Sequence, residues 1–428
     1  MKIGAALKVR YYFVLLEVKS NDKLGLILFY CILISLSPIL VSTILIPGFN
    51  RGVIFPLLVG SMFFIQAILL LVYFITHGKI FFNRSLFLFA WVFMTSQGIT
   101  LFVSALTGIQ INSFDYINVF VRFISVLLFV CIPLQFSVSR KGLDGFMFSI
   151  LMLGLVACVY NMIVNFNGIL GIANINNPYA VNFKSFFTNR NSFGQFLFFC
   201  VIANTYMYLK KKSIFYLGSY LILGINIFAT LSRTVTVSVC IFLLIFYMFY
   251  FRKKVLTQIM IIIAVIFLFF IIYSNPKVNN FIVNIFMRED TGTSGRSAIW
   301  ETGFQILNQS NWTFGIGYLT STSWIESMGF PNEFHNFYIE TLVGGGGVDL
   351  LLHLIIFIFV LNKVMTIYKN DKVTGVIYFS GFSALLFYVF FESASFFSMG
   401  YVDSLFRIFF VTIPLLYANS FNKDSQYS

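Results

Sequence analysis

The 428-residue chain is short of charge. Asp, Glu, Lys and Arg together make up 10% of it, against about 25% in soluble chains, so a water-facing surface for a globule of this length cannot be assembled. Alternation is missing too. The apolar residues, 59% of the total, come in long uninterrupted runs, which excludes a disordered chain and a transmembrane β-barrel. Cysteine is rare, with five residues. Cys31, Cys131, Cys158, Cys200 and Cys240 all fall inside apolar runs, where they read as small packing residues rather than as a disulfide framework or a metal site. No internal repeat of 20–50 residues and no low-complexity tract occurs.

What is present is enough apolar sequence for about twelve membrane-spanning helices. The runs lie near 25–46, 54–77, 86–107, 117–139, 145–166, 192–209, 214–230, 235–251, 255–273, 338–362, 374–392 and 404–419. The fold class expected is therefore an all-α polytopic membrane protein in a single membrane domain, 1–428.

Charge asymmetry orients it. The formal charge of +13 would suggest nucleic acid in a soluble protein, but in a membrane protein the placement of Lys and Arg matters more than their sum. Most of the 28 fall in one set of inter-span segments, such as Lys210 to Lys212 and Arg252 to Lys254. That set, with both termini, is expected in the cytoplasm. The other set holds only Arg51, Lys184, Arg190, Arg233, Lys277, Arg288 and Arg296. The first span is too long, and too poor in small residues at its end, for a cleaved signal peptide.

Two outer segments are unusually long, 167–191 and 274–337. The second has a polar composition but carries Trp300, Phe304, Ile306, Leu307, Trp312, Phe314, Trp324 and Phe330, which give it an apolar face to bury. Within it 296–308 has apolar residues at helical spacing, predicting a short amphipathic helix in an extracytoplasmic cap.

Four outer positions suit chemistry on an anion: Arg190, Arg233, Arg296 and His335. An arginine fork donates two parallel charge-assisted hydrogen bonds to a phosphate and keeps its proton. A histidine can exchange a proton at neutral pH. A single outer arginine is more ordinarily a snorkelling anchor, and a single histidine a structural hydrogen bonder. Within the spans, Asp349 and His353 share one helix face as a buried pair, Glu392 and Arg407 are placed to pair with each other, Arg122 is near enough to the outside to snorkel, and Gly344 to Gly347 permit close helix packing.

These residues sit in a recognisable order. Asn189, Arg190 and Asn191 open one span and Ser232 and Arg233 another. They are followed by Gly295, Arg296 and Trp300, by Gly315 and Gly317, and by His335, Asn336 and Tyr338 ahead of a glycine-rich span start. The arrangement resembles the O-antigen ligase and polymerase (Wzy-type) superfamily of bacterial membrane glycosyltransferases, over about residues 182–352. The resemblance implies a GT-C-like membrane enzyme that transfers a polyprenyl-pyrophosphate-linked glycan en bloc on the outer face of the bacterial cell membrane. The acceptor is another lipid-linked repeat unit in a polymerase, or a lipid or protein in a ligase. It also implies that Arg190, Arg233 and Arg296 hold the pyrophosphate, that His335 and Arg296 are catalytic, and that Asn336 and Tyr338 support them. A chain-length regulator and a flippase are implied partners.

Metal is not expected. The first outer loop, IPGFNRG, has no acid, D-x-D is absent, and the adjacent Glu289 and Asp290 read as a solvated face. Neither a cofactor nor nucleic acid is called for. Richness in Phe, Ile, Asn and Lys matches AT-rich genomes whose bacteria make capsules without a lipopolysaccharide core, which favours polymerase over ligase. A lipid-linked oligosaccharide flippase is the competing class, but it calls for internal repeats and midplane polar groups in several spans.

Overall fold

In a computed structural model, residues 23–45, 54–77, 84–171, 183–276, 279, 295–330 and 333–424 are described. They fold as helices, with no strand among them. Arg51, Lys277, Arg288, Glu289, Asp290 and the middle of the 167–191 loop lie outside the described residues.

Ten described helices are long and apolar enough to cross a membrane, which makes the chain an all-α, multi-pass membrane protein. They are α1 (Lys23–Thr43), α2 (Leu57–His77), α3 (Arg84–Leu106), α4 (Phe114–Gln135), α5 (Arg140–Val164), α6 (Arg190–Lys211), α8 (Arg233–Tyr250), α12 (Phe337–Asn370), α13 (Lys372–Phe391) and α14 (Asp403–Phe421). The seventh expected span, α7 (Ile214–Ala229), is only 16 residues long, and the ninth, α9 (Val255–Ser274), is a 20-residue helix.

The less apolar spans occupy the centre. α6 and α14 are largely buried, and their polar side chains find partners inside the protein. The amide of Asn204 donates to the Tyr216 carbonyl at 2.9 Å, and Thr412 Oγ1 donates to the Phe129 carbonyl at 2.9 Å. In the bilayer core such groups have no water to fall back on, so the bundle interior is where they belong. α2 and α9 instead turn residues such as Ile68, Ile75, Ile263 and Phe267 outward, as lipid-facing helices do.

The amphipathic segment forms α10 (Arg296–Gln309), followed by α11 (Tyr318–Ser327). Ile299, Ile306, Leu307, Ile316, Ile325 and Phe334 make a small core of their own with Ile339 and Val343 of α12. Phe304 and Trp312 remain exposed and stack on each other. Asp115 on α4 fastens the cap from the far side. It caps α11 by accepting from the Leu319 and Thr320 N–H groups at 3.0 and 2.8 Å, and its charge suits the helix's positive end.

α12 is broken. Gly346 stands at φ 72°, ψ −175°, so the glycine run interrupts the helix rather than simply permitting close packing. The severed backbone groups are not left unpaired. The N–H groups of Ile316 and Gly317 donate to the Val343 and Gly344 carbonyls, and those of Gly347 and Val348 donate to Trp312 and Thr313, all at 2.8–3.1 Å. Residues 312–317 thus fill the gap, which is how non-helical backbone survives inside a membrane protein. Gly315, at φ 67°, lies so close to the broken helix that a Cβ there would meet the Val343 carbonyl oxygen at 2.5 Å.

Below the break lies a buried charge network that corrects one expectation and enlarges another. Arg122 does not snorkel. Its guanidinium is fully buried, donates to Asp349 Oδ2 at 2.7 Å and lies 3.8 Å over the Tyr318 ring. Tyr318 donates to the same oxygen at 2.5 Å. His353 does approach Asp349, with Nδ1 3.6 Å from Oδ1, but its short contact is to the Asp349 carbonyl at 2.8 Å. The main partner of Asp349 is therefore on another helix.

Candidate functional site: two cavities with a shared wall

The three arginines singled out in the sequence are each the first residue of a helix, α6, α8 and α10. Helix N-termini present unsatisfied N–H groups and partial positive charge, so guanidinium and backbone act in the same sense on an anion. Arg233 and Arg296 line one cavity of about 320 Å³, together with Thr234, Val237, Trp300, Phe387 and Phe391. Its character is two cations at the edge of an otherwise apolar cleft. Arg190 lines neither this cavity nor the next one, although its neighbours Asn189, Asn191 and Ser192 line the latter.

The second cavity, about 470 Å³, is polar. His335, Glu333, Glu340, Glu392 and Asp403 contribute to it, with amides from Asn118, Asn189, Asn191 and Gln195 and hydroxyls from Ser393, Ser395 and Ser398. No Lys or Arg is among its described lining residues.

Arg296 and Glu392 form the wall between the two. Arg296 Nη2 donates to Glu392 Oε1 at 2.9 Å, and Thr234 adds a 3.3 Å hydrogen bond to the same oxygen. Glu392 Oε2 lies 3.5 Å from His335 Nδ1, and Glu333 Oε2 lies 3.7 Å from it, which are ion-pair rather than hydrogen-bond separations. Glu392 therefore does not pair with Arg407, as the sequence suggested. The Arg407 guanidinium instead donates to the Ser398 carbonyl at 2.9 Å, the Phe396 carbonyl at 3.3 Å and Ser404 Oγ at 3.0 Å. It fixes the segment that follows Glu392 by its backbone.

Electrostatics follow from this arrangement. The Glu392 carboxylate raises the His335 pKa above its ordinary value, against the opposing effects of burial and of Arg296. Burial alone would raise the Glu392 pKa, but contact with His335 and the Arg296 guanidinium hold it below the usual carboxylate range. The carboxylate is thus ionised at neutral pH.

His335 is held in an uncommon backbone state. Its φ is 52°, in the left-handed region, which non-glycine residues seldom occupy. Its N–H donates to Ser393 Oγ at 3.0 Å, and the Trp300 indole clamps the preceding carbonyl, that of Phe334, at 2.9 Å. Asn336 and Tyr338 line neither cavity. Asn336 Oδ1 caps α12 by accepting from the Ile339 N–H at 3.1 Å, and the Tyr338 hydroxyl donates to the Leu386 carbonyl on α13 at 3.3 Å. They hold the end of the helix on which His335 sits.

Glu333, Glu340 and Glu392 were not among the expected site residues. The signal for Glu392 was the sudden polarity of ESAS at the end of an apolar span. Among the described residues, no cluster of three His, Cys, Asp or Glu is arranged to hold a metal ion.

Residues 218–354 match the sequence model of a family described as O-antigen ligase. That range holds Arg233, Arg296, His335 and the break in α12, and the match supports the resemblance to the O-antigen ligase and polymerase superfamily. Arg190 and Glu392 lie outside it. A search of curated proteins found no match to the chain.

Proposed function

Taking the O-antigen ligase match as premise, we propose that the protein is a polysaccharide polymerase. It transfers a polyprenyl-pyrophosphate-linked glycan en bloc onto another lipid-linked repeat unit, at the outer face of a bacterial cell membrane with both termini in the cytoplasm. The observation that carries the reading is the shared wall. A cleft with two arginines and an apolar lining suits a lipid pyrophosphate, a polar cavity suits a sugar, and the Arg296, Glu392 and His335 side chains stand between them.

In the reaction, the acceptor hydroxyl oxygen attacks the anomeric carbon and the carbon–oxygen bond to the pyrophosphate breaks. The bonding pair leaves with the polyprenyl pyrophosphate. The hydroxyl proton passes to His335. Attack opposite the leaving group inverts the anomeric centre. Arg233 and Arg296 meet the charge that builds on the departing oxygen, the kind of preorganised stabilisation that supplies much of an enzyme's rate. They do so without a divalent metal. The cap helices α10 and α11 carry Arg296 and Tyr318 to the site, and Arg190, between the Asn189 and Asn191 that line the polar cavity, steers the anionic donor.

The decisive experiment is incubation of purified protein with a lipid-linked repeat unit and no other acceptor. A ladder of longer chains is the expected product. No ladder, but transfer once a lipid or protein acceptor is added, would make it a ligase instead.

A pH profile probes the proton step. A base must be neutral to accept a proton, so the rate falls as pH drops through the pKa of His335. Glu392 raises that pKa, which places the acid limb of kcat/KM above the ordinary histidine value of about 6.5. Glu392→Gln removes the main raising influence while Arg296 and burial still lower the pKa, so the limb should move to lower pH. An unmoved limb would detach His335 from the proton transfer.

A further inference from the structure

The two cavities differ in charge as sharply as in polarity. Among their described lining residues, the arginine cleft has no acid, and the polar cavity has four carboxyl groups and no Lys or Arg. Two of the four are already engaged. Glu392 takes up Arg296 and Thr234, and Asp403 accepts from the Ser395 N–H at 2.9 Å and from the Ser398 hydroxyl. The other two face the space. Glu340 Oε2 is shielded from solvent and has no hydrogen-bond partner, as does His335 Nδ1. Glu333 is more than half exposed at the mouth. An unmet buried acceptor is costly, and a donor from a ligand would relieve it.

Sugar hydroxyls and amines are such donors. The amides of Asn118, Asn189, Asn191 and Gln195 can both give and take hydrogen bonds around a ring of hydroxyls. A sugar carboxylate or phosphate would instead meet Glu333 and Glu340 with no arginine to receive it, since the one cationic side chain in the described lining, His335, is already set between Glu333 and Glu392, and like charges in a partly dry cavity repel more strongly than in water.

We propose that the polar cavity is a sugar subsite selective against negative charge, one that takes a neutral or amino sugar and rejects a uronic acid. In the reaction proposed above it would hold the non-reducing terminal sugar of the acceptor, and the word acceptor rests on that reading. The charge preference does not. It can be measured with no donor present.

The probes are matched pairs that differ only in oxidation at C6: methyl glucoside with methyl glucuronide, and methyl galactoside with methyl galacturonide. Binding to the full-length protein in nanodiscs is read by saturation-transfer NMR at neutral pH. In at least one pair the neutral sugar should bind about tenfold more tightly than its acid, the scale of one like-charge contact at a solvated cavity mouth. Glu333→Gln should narrow that ratio, and Glu333→Gln with Glu340→Gln should bring it close to one. The single variant changes an exposed side chain, so it reports even if the double variant does not fold. Equal binding within both pairs, a ratio unmoved by Glu333→Gln, or no saturation transfer from any of the four probes would overturn the proposal. Failure of chain growth would sink the transferase reading alone and leave the ratio as it is.

Discussion

Arg296→Ala should reduce chain growth by at least about a hundred- to a thousandfold, the loss expected when one preorganised donor to a developing anion is removed. Two effects combine. The cation leaves the cleft that it shares with Arg233, and Glu392 loses the 2.9 Å partner that lets it stay ionised while buried. His335→Ala should be similarly severe, because in the proposed reaction it removes the proton acceptor. Arg296→Lys keeps the charge but not the planar fork, so it should recover only part of the rate. Polymer is measured in proteoliposomes, and the amount of protein in the membrane is measured beside it. Full-length polysaccharide from both alanine variants would show that the shared wall is not the reaction centre.

The second large effect is on stability. Arg122→Met should destabilise the fold by about 3–5 kcal/mol, because it strands Asp349 as an uncompensated charge in the interior. The companion replacement, Arg122→Met with Asp349→Leu, should recover much of that loss, since apolar pairs of similar volume often match a buried ion pair. Thermal unfolding in detergent micelles measures both. A single variant as stable as the parent, or a double variant worse than the single, would mean that the pair contributes little. Because Tyr318 hydrogen-bonds the same oxygen at the start of α11, the single variant should also loosen the cap.

The spans were legible because a bilayer enforces one rule on every residue it touches, and apolar runs record it directly. The cap helix was legible for a related reason. Ile299, Ile306 and Leu307 repeat at helical spacing because one face must be buried. Pairings across the bundle left no such trace. Arg296 meets Glu392 across 96 positions of sequence, and Arg122 meets Asp349 across 227, distances over which no periodicity operates. Nearness at the outer ends of adjoining spans favoured Glu392 with Arg407, whereas packing gave each another partner, and the helical spacing that does bring His353 to Asp349 said nothing of Arg122. Four consecutive glycines were visible, but four small residues fit close helix packing as well as a break. Only the amides and carbonyls of 312–317 decide for the break, and backbone groups carry no residue type to read.

That filled gap also sets an order of events. Residues 312–317 leave the ribosome before α12 does, and the Ile316 and Gly317 amides and the Trp312 and Thr313 carbonyls wait for Val343, Gly344, Gly347 and Val348 to arrive. The far half of α12 can enter the membrane as any apolar helix would. The near half, which carries Asn336 and His335 at its tip, has no settled position until the earlier segment folds back into the break. The tip that carries His335 therefore takes its place only once 312–317 has docked in the break and Ser393, which receives the His335 N–H, has followed.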